Sequence, residues 1–191
     1  MQRTIIVLLG LLIFAIGQTA FDPNSLRAQI SGGSVTYDSG TISATATPTN
    51  YSHANGTSVG GLIPVALVRV AGGSGIVTNF GFKSAGASTG NYVVRIWQKN
   101  PTATTCTDNT PFASNATDDL NLITLAPLSI TPLAPASTTG DSATYAWLPS
   151  LTLDYRNRDQ TQNLYVCIVT VLTDTADAGN LVTVSMSGPQ N

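Results

Sequence analysis

A chain of 191 residues with a net charge of −2 has the length of a single domain and lacks the basic excess needed to neutralise a phosphate backbone, which argues against a nucleic-acid partner. Charged side chains make up 9% of it, against roughly 25% in an average soluble protein, and Glu is absent. Exposed helix faces are built largely from Glu, Lys and Gln, so this scarcity, beside abundant Thr, Ser, Val and Ile, predicts an all-β fold.

The N-terminal segment 1–20 stands apart. Arg3 is followed by no charge until Asp22, and the apolar heart runs from Ile5 to Ile16. That length suits the short apolar region of a secretory signal better than a spanning helix of about 20 residues. Ala15 and Gly17 place small residues for cleavage after Gly17, with cleavage after Ala20 a weaker alternative. The other readings are an uncleaved anchor helix that docks on a partner or a membrane, and a buried N-terminal arm; any membrane contact would be confined to this segment. Residues 21–191 read as one β-sandwich domain.

Phe21 to Ser34 is irregular. "SVTYDSGTISATAT" predicts two strands joined at Asp38-Ser39-Gly40, with Val35, Tyr37, Ile42, Ala44 and Ala46 on alternating positions. Pro48 to Gly61 reads as a loop. Val65 to Val70 is an apolar run, "GGSG" follows, and Ile76 to Lys83 alternates, with Ile76, Thr78, Phe80 and Phe82 facing one way. The glycines thus lie between strands and predict a hairpin turn. A phosphate loop would lead into a helix, and nothing after Gly75 has a helical period.

"NYVVRIWQK" is the next strand, on which Arg95 shares a face with Val93 and Trp97, so that face is expected to be wet or in contact. A polar connection of about twenty residues follows; loops of that length carry function or pack as a unit of their own. Within it Ser114 or Asn115 is placed to cap a helical turn ahead of Asp118 and Asp119. Leu122 to Ile130 reads as a broken strand, and Pro132, Pro135 and Gly140 mark a loop. "TYAWLPSLTLDYR" predicts short strands around Pro149, with Leu151, Leu153 and Tyr155 on one face. Leu164 to Leu172 is apolar on both faces and predicts a central strand. After a turn at Asp177 to Asn180, "LVTVSMS" places Val182, Val184 and Met186 inward. Eight to ten such strands pack most naturally as a two-sheet antiparallel β-sandwich, jelly-roll-like.

The chain offers little chemistry. Its single histidine, His53, sits in a loop and reads as solvated. No serine lies in a GxSxG setting, and the only carboxylates are Asp, clustered in turns. Asp108, Asp118 and Asp119 could offer oxygens to a cation, as could Asp174 and Asp177, but the calcium-loop spacing is missing. Arg156 and Arg158 are flanked by Asp154 and Asp159 and read as a solvated turn. No cofactor site is expected. Cys106 and Cys167 make an even count that favours one disulfide in an exported chain, with two unpaired thiols the alternative. Trp97, Arg95 and Trp147 are the candidate contact residues, with the six tyrosines as further anchors, against the reading that both tryptophans are core.

The middle of the chain, about a third of it, also carries a resemblance. Arg69 to Gly75 ("RVAGGSG"), the strand Ile76 to Lys83, Trp97, Pro101, Asp108-Asn109, Phe112 and Asp118-Asp119 resemble, in that order, a family of phage head decoration or capsid-accessory β-sandwich proteins. The resemblance implies a non-enzymatic virion protein at the capsid surface. Its partners would be the major capsid protein or other virion proteins, and it would act as a homo-oligomer. It also requires Arg69 to Lys99 to form adjacent antiparallel strands. The signal-like start and Cys106 depart from the pattern and leave room for an exported surface or adhesion module, pilus-like or glycan-binding, in the periplasm or outside the cell. A secreted hydrolase is the weakest of the three readings, because its nucleophile and base arrangements are missing.

Overall fold

A computed structural model of the chain describes residues 37–38, 40–48, 53–84, 90–124, 128–131, 144–172 and 182–190. The segment 1–20, the turn at 177–180 and the loop at 132–140 lie outside the described residues, as do Asp174 and Asp177. In chain order the elements are β1 (Tyr37–Asp38), β2 (Ile42–Ala46), β3 (Ile63–Val65), β4 (Ser74–Val77), β5 (Asn79–Ser84), β6 (Tyr92–Trp97), the single helical turn α1 (Ala116–Asp119), β7 (Leu128–Ile130), β8 (Thr144–Leu148), β9 (Leu153–Arg156), β10 (Leu164–Thr170), β11 (Val182–Ser187) and β12 (Pro189–Gln190).

The strands form three four-stranded ladders, β1-β12-β4-β9, β2-β11-β5-β8 and β3-β10-β6-β7. Every pairing is antiparallel. The first two orders are the same order: β1 continues into β2, β12 continues β11, β4 continues into β5, and β9 follows β8. They are two halves of one long sheet, interrupted along a line through Gly40, Gly188, Thr78 and Ser150. The register shows why. Ser187 faces Asn79 and Gln190 faces Gly75, so the step along β4–β5 is one residue longer than the step along its neighbour. Such an extra residue is a β-bulge, which bends a strand and flips the facing of everything beyond it. At this line Thr78 N donates to Ser187 O at 2.9 Å and Leu151 N donates to Thr78 O at 2.8 Å. Gly188 crosses so close to the Ile76 carbonyl that a Cβ there would collide with its oxygen.

The bulge corrects the facing expected for Ile76 to Lys83. Phe80 and Phe82 are buried, as the alternation implies, but Val77 is the fully buried residue before the break and Ile76 is only half-buried. Gly40, at φ 62°, likewise sits between two successive pieces of one edge strand, not in a hairpin turn.

The second correction concerns Val65 to Val70. Only Ile63–Val65 is strand, and β3 pairs with β10 while β4 pairs with β12 and β9. The glycines therefore belong to a crossing between two sheets and not to a hairpin. The run is apolar because the crossing passes through the core: Leu67 and Val68 are buried. Buried irregular backbone must find partners. Gln190 supplies two, accepting from Arg69 N at 2.7 Å and donating to Leu67 O, and Val68 N donates to Gln162 O at 2.9 Å.

One core lies between the long sheet and β3-β10-β6-β7. It joins Val77, Phe80, Phe82, Val182, Val184 and Met186 from one side to Tyr92, Val94, Ile96, Leu164, Val166 and Ile168 from the other. The rings of Phe82 and Tyr92 meet across it at 5.2 Å. Of the run Leu164 to Leu172, β10 takes Leu164–Thr170 and is central and buried throughout, while Val171 and Leu172 lie beyond it and are exposed; Val182, Val184 and Met186 face inward as expected. The result is an antiparallel β-sandwich. The strand adjacency required of Arg69 to Lys99 is not found, because β4–β5 and β6 lie in opposite sheets.

Candidate functional site

The two sheets treat their outer faces differently, and the candidate residues divide between them. On β3-β10-β6-β7 the outward side chains are Val93, Arg95 and Trp97 of β6, opposite Val169, Cys167 and Tyr165 of β10. This face is not wet. The connection 98–124 folds back over it: Gln98 N donates to Asn121 O and Ile123 N to Ile96 O, both at 2.9 Å. Trp97, Cys106, Tyr165, Cys167 and Val169 form a second small core, with Leu62, Phe112 and Leu122 against it. Cys106 and Cys167 are joined as a disulfide that fastens this cover to the central strand. Trp97 is 0% exposed, so its candidacy as a contact residue is corrected to a core role. Arg95 is half-buried, its guanidinium 5.0 Å above the Phe112 ring, where it closes the rim of this small core.

Polar side chains hold the cover in shape. His53 is 0% exposed, which overturns the solvated reading. Its Nε2 lies 3.0 Å from Asp108 Oδ1, and the same oxygen accepts from Gly60 N at 2.7 Å. A short polar run without helical or strand period gives no signal for such burial; the partner is 55 residues away. Ser58 Oγ lies 3.7 Å from Cys167 Sγ, next to the disulfide. The pair ties the 53–61 segment to the cover. Asn115 caps α1, accepting from Thr117 N at 2.9 Å, as the sequence implies.

Asp118 is buried and its carboxylate is committed. Oδ1 accepts from Thr102 N at 3.3 Å, and Oδ2 from Ala103 N at 2.8 Å and Thr104 N at 2.6 Å. Burial by itself raises its pKa; the Thr104 side chain and the amides of Ala103, Thr104 and Thr102 outweigh that and hold it below the ordinary 3.8. A cation would have to displace those donors. The structure does not gather Asp108, Asp118 and Asp119 into a ligand set, and among the described residues no three His, Cys or Asp side chains are placed to hold a metal.

At one end of the sandwich Gly72, Arg156, Asn157, Arg158 and Gln160 line an open polar pocket of about 390 Å³. Both arginines are exposed, as expected of a solvated turn. Asp159 accepts from Asn100 N at 3.0 Å and from the Thr161 hydroxyl at 2.6 Å, which fixes the turn.

Among the described residues, no segment folds over the outer face of the long sheet. Trp147 is 52% exposed and Tyr145, two residues before it on the same face of β8, is 39% exposed. Registered across the sheet they head two rows, Trp147-Gly81-Ser185-Ser43 and Tyr145-Lys83-Thr183-Thr45. The indole lies on Gly81, where a Cβ would come within 2.6 Å of Cε3 and Cζ3. Lys83 Nζ sits 5.2 Å over the Tyr145 ring, and Ser43 Oγ and Ser185 Oγ are 2.8 Å apart. The sequence singled out Trp147, but it held Tyr145 only as one of six tyrosines and missed Gly81. The shared parity of Tyr145 and Trp147 was the available signal for the first; Gly81 required the register.

The chain matches no protein-family model, and no curated protein is significantly similar to it.

Proposed function

We propose that this chain is a non-enzymatic virion protein that decorates or stabilises a phage capsid surface through contacts of its sandwich, working as a homo-oligomer against the major capsid protein or other virion proteins. The resemblance over Arg69 to Lys99 does not carry this, since the strand adjacency it requires is absent; the observation that supports it most is the strand order. Counted as eight continuous strands, the two sheets run 1-8-3-6 and 2-7-4-5. That order fits two interleaved Greek keys and so supports a jelly-roll reading, an arrangement that recurs in viral capsid and lectin domains. It is a fold-level analogy, and function resides in sites. The placement of His53, Asp108 and Asp118, which hold loops in shape, fits a molecule that works by surface contact.

The second reading is an exported bacterial surface or adhesion module, and the Cys106–Cys167 disulfide favours it, because such bonds persist in oxidising compartments. Mass spectrometry of the mature chain separates the two. Recovery of Met1 or Gln2 from purified virions supports the virion reading. A start at Gln18 in periplasm or medium, with none of the chain in virions, overturns it in favour of export.

A further inference from the structure

Both readings make this an adhesive protein, and the outer face of the long sheet points to a ligand beyond the virion proteins of the first. From the Trp147 and Tyr145 rows we infer that this face is a binding platform for a neutral, extended glycan, a flat β-linked pyranose chain. The inference rests on the adhesive reading and adds the class of ligand.

Four observations carry it. First, the indole rests on a missing side chain: a Cβ at Gly81 would come within 2.6 Å of its Cε3 and Cζ3, so any residue larger than glycine would displace it. A large apolar side chain is thereby settled on the sheet while the residue stays 52% exposed. Stacking an aromatic on a glycine in a sheet is a known way of pinning register, but that purpose does not require the ring to stay half exposed. The flat C–H face of a pyranose is what such a ring takes.

Second, hydroxyls stand in line with the rings. Ser185 and Ser43 continue the Trp147 row, and Thr183 and Thr45 continue the Tyr145 row. Each hydroxyl both donates and accepts, matching the hydroxyls at a sugar's edge. With strands about 4.8 Å apart, each row extends roughly 14 Å from β8 to β2, the reach of a short oligosaccharide. Third, the face is shallowly concave: Gly81, Lys83, Tyr145, Trp147, Thr183 and Ser185 border a depression of about 270 Å³.

Fourth, the electrostatics select against the other occupants. Lys83 is the one charge in the two rows, and it is already over the Tyr145 ring. One cation does not hold a phosphate backbone. A stable protein interface needs roughly 800 Å² per partner with an apolar centre. Here two rings stand among hydroxyls that a dry protein surface would leave unpaired, at a cost.

The chain contains two tryptophans, and Trp97 is fully buried, so a ligand-dependent change in intrinsic fluorescence reports on Trp147. The full oxidised chain is tested for retention on cellulose and chitin, with starch as the curved-chain control, and titrated with cellohexaose and chitohexaose. Expected are retention on at least one flat polymer and a saturable fluorescence shift. Affinity should fall about tenfold or more in Trp147→Ala and severalfold in Tyr145→Ala, in line with a stacking contact. Selective oxidation of the exposed indole in the folded wild-type chain should abolish retention, which removes any dependence on how the variants fold. Retention on none of these polymers, retention on starch alone, or binding untouched by indole oxidation overturns the inference. Location in virions or envelope is read separately by mass spectrometry, so a glycan failure and a failure of the adhesive reading are distinguishable.

Discussion

Trp97 and Trp147 occupy matching places: each lies on the outward side of a strand, one on either sheet of the sandwich. Trp97 is sealed under the 98–124 connection with a disulfide at its back, and Trp147 is left half in water on a row of hydroxyls. The difference lies in what their neighbours contribute. β10 turns Tyr165, Cys167 and Val169 outward beside Trp97, an apolar patch that gains by being covered; β11 turns Thr183 and Ser185 outward beside Trp147, a patch that hydrates well. A single sandwich thus has one outer face built as a second core and one built as a surface.

The largest expected effect breaks the covered side. Trp97→Ala should destabilise the chain by as much as about 5 kcal/mol in chemical denaturation, as large-to-small changes at fully buried aromatics do. Trp147→Ala should stay within about 1 kcal/mol, since half of its ring is already hydrated. If the two variants lost similar stability, the contrast between the faces would be wrong.

Next comes the fastening of the cover. Replacing both Cys106 and Cys167 with Ser should cost about 4 kcal/mol, because the bond closes a long loop in the unfolded chain. The sequence separation it spans is 61 residues. The loss should come with a red shift of Trp97 emission as the cover loosens; unchanged stability and emission would show that packing alone holds it.

A smaller effect tests the carboxylate inside the cover. Asp118→Ala removes the acceptor for three backbone amides and should cost about 2 kcal/mol. The pH dependence has a definite sign. A carboxyl whose folded pKa is lowered stabilises the fold above its unfolded value of 3.8 and loses that stabilisation as pH falls through the lower folded value. Asp159 is lowered as well: burial opposes, and hydrogen bonds from the Thr161 and Tyr165 side chains and from the Asn100 and Thr161 amides prevail. Unfolding free energy should therefore decline below about pH 4, with a shallower slope in the Asp118 variant. A wild-type curve flat through that window would remove the role assigned to these carboxylates. The smallest stability effect belongs to Gly81→Ala on the outer face of the long sheet: it should cost about 1 kcal/mol or less in denaturation. By lifting the indole it should still weaken retention on flat polysaccharide severalfold, and a variant that bound normally would show that the seating of Trp147 is irrelevant.

Composition and alternation were enough to read the sandwich: the want of helix-forming charge, the unbroken apolar run of β10, the inward set Val182, Val184 and Met186, and the Asn115 cap all depend on neighbours within a few residues. What had to wait for the tertiary structure were the features set by distant partners. Whether an apolar run is a strand or a buried crossing depends on where Gln190 and Gln162 reach, and the facing of Ile76 depends on a bulge created by the strand beside it. His53 is buried because Asp108 stands against it, and Trp97 is covered where Trp147 is not because, among the described residues, the connection 98–124 folds back on the other sheet. Periodicity is a local property of a chain; burial is decided by segments far along it that arrive only once the chain has folded.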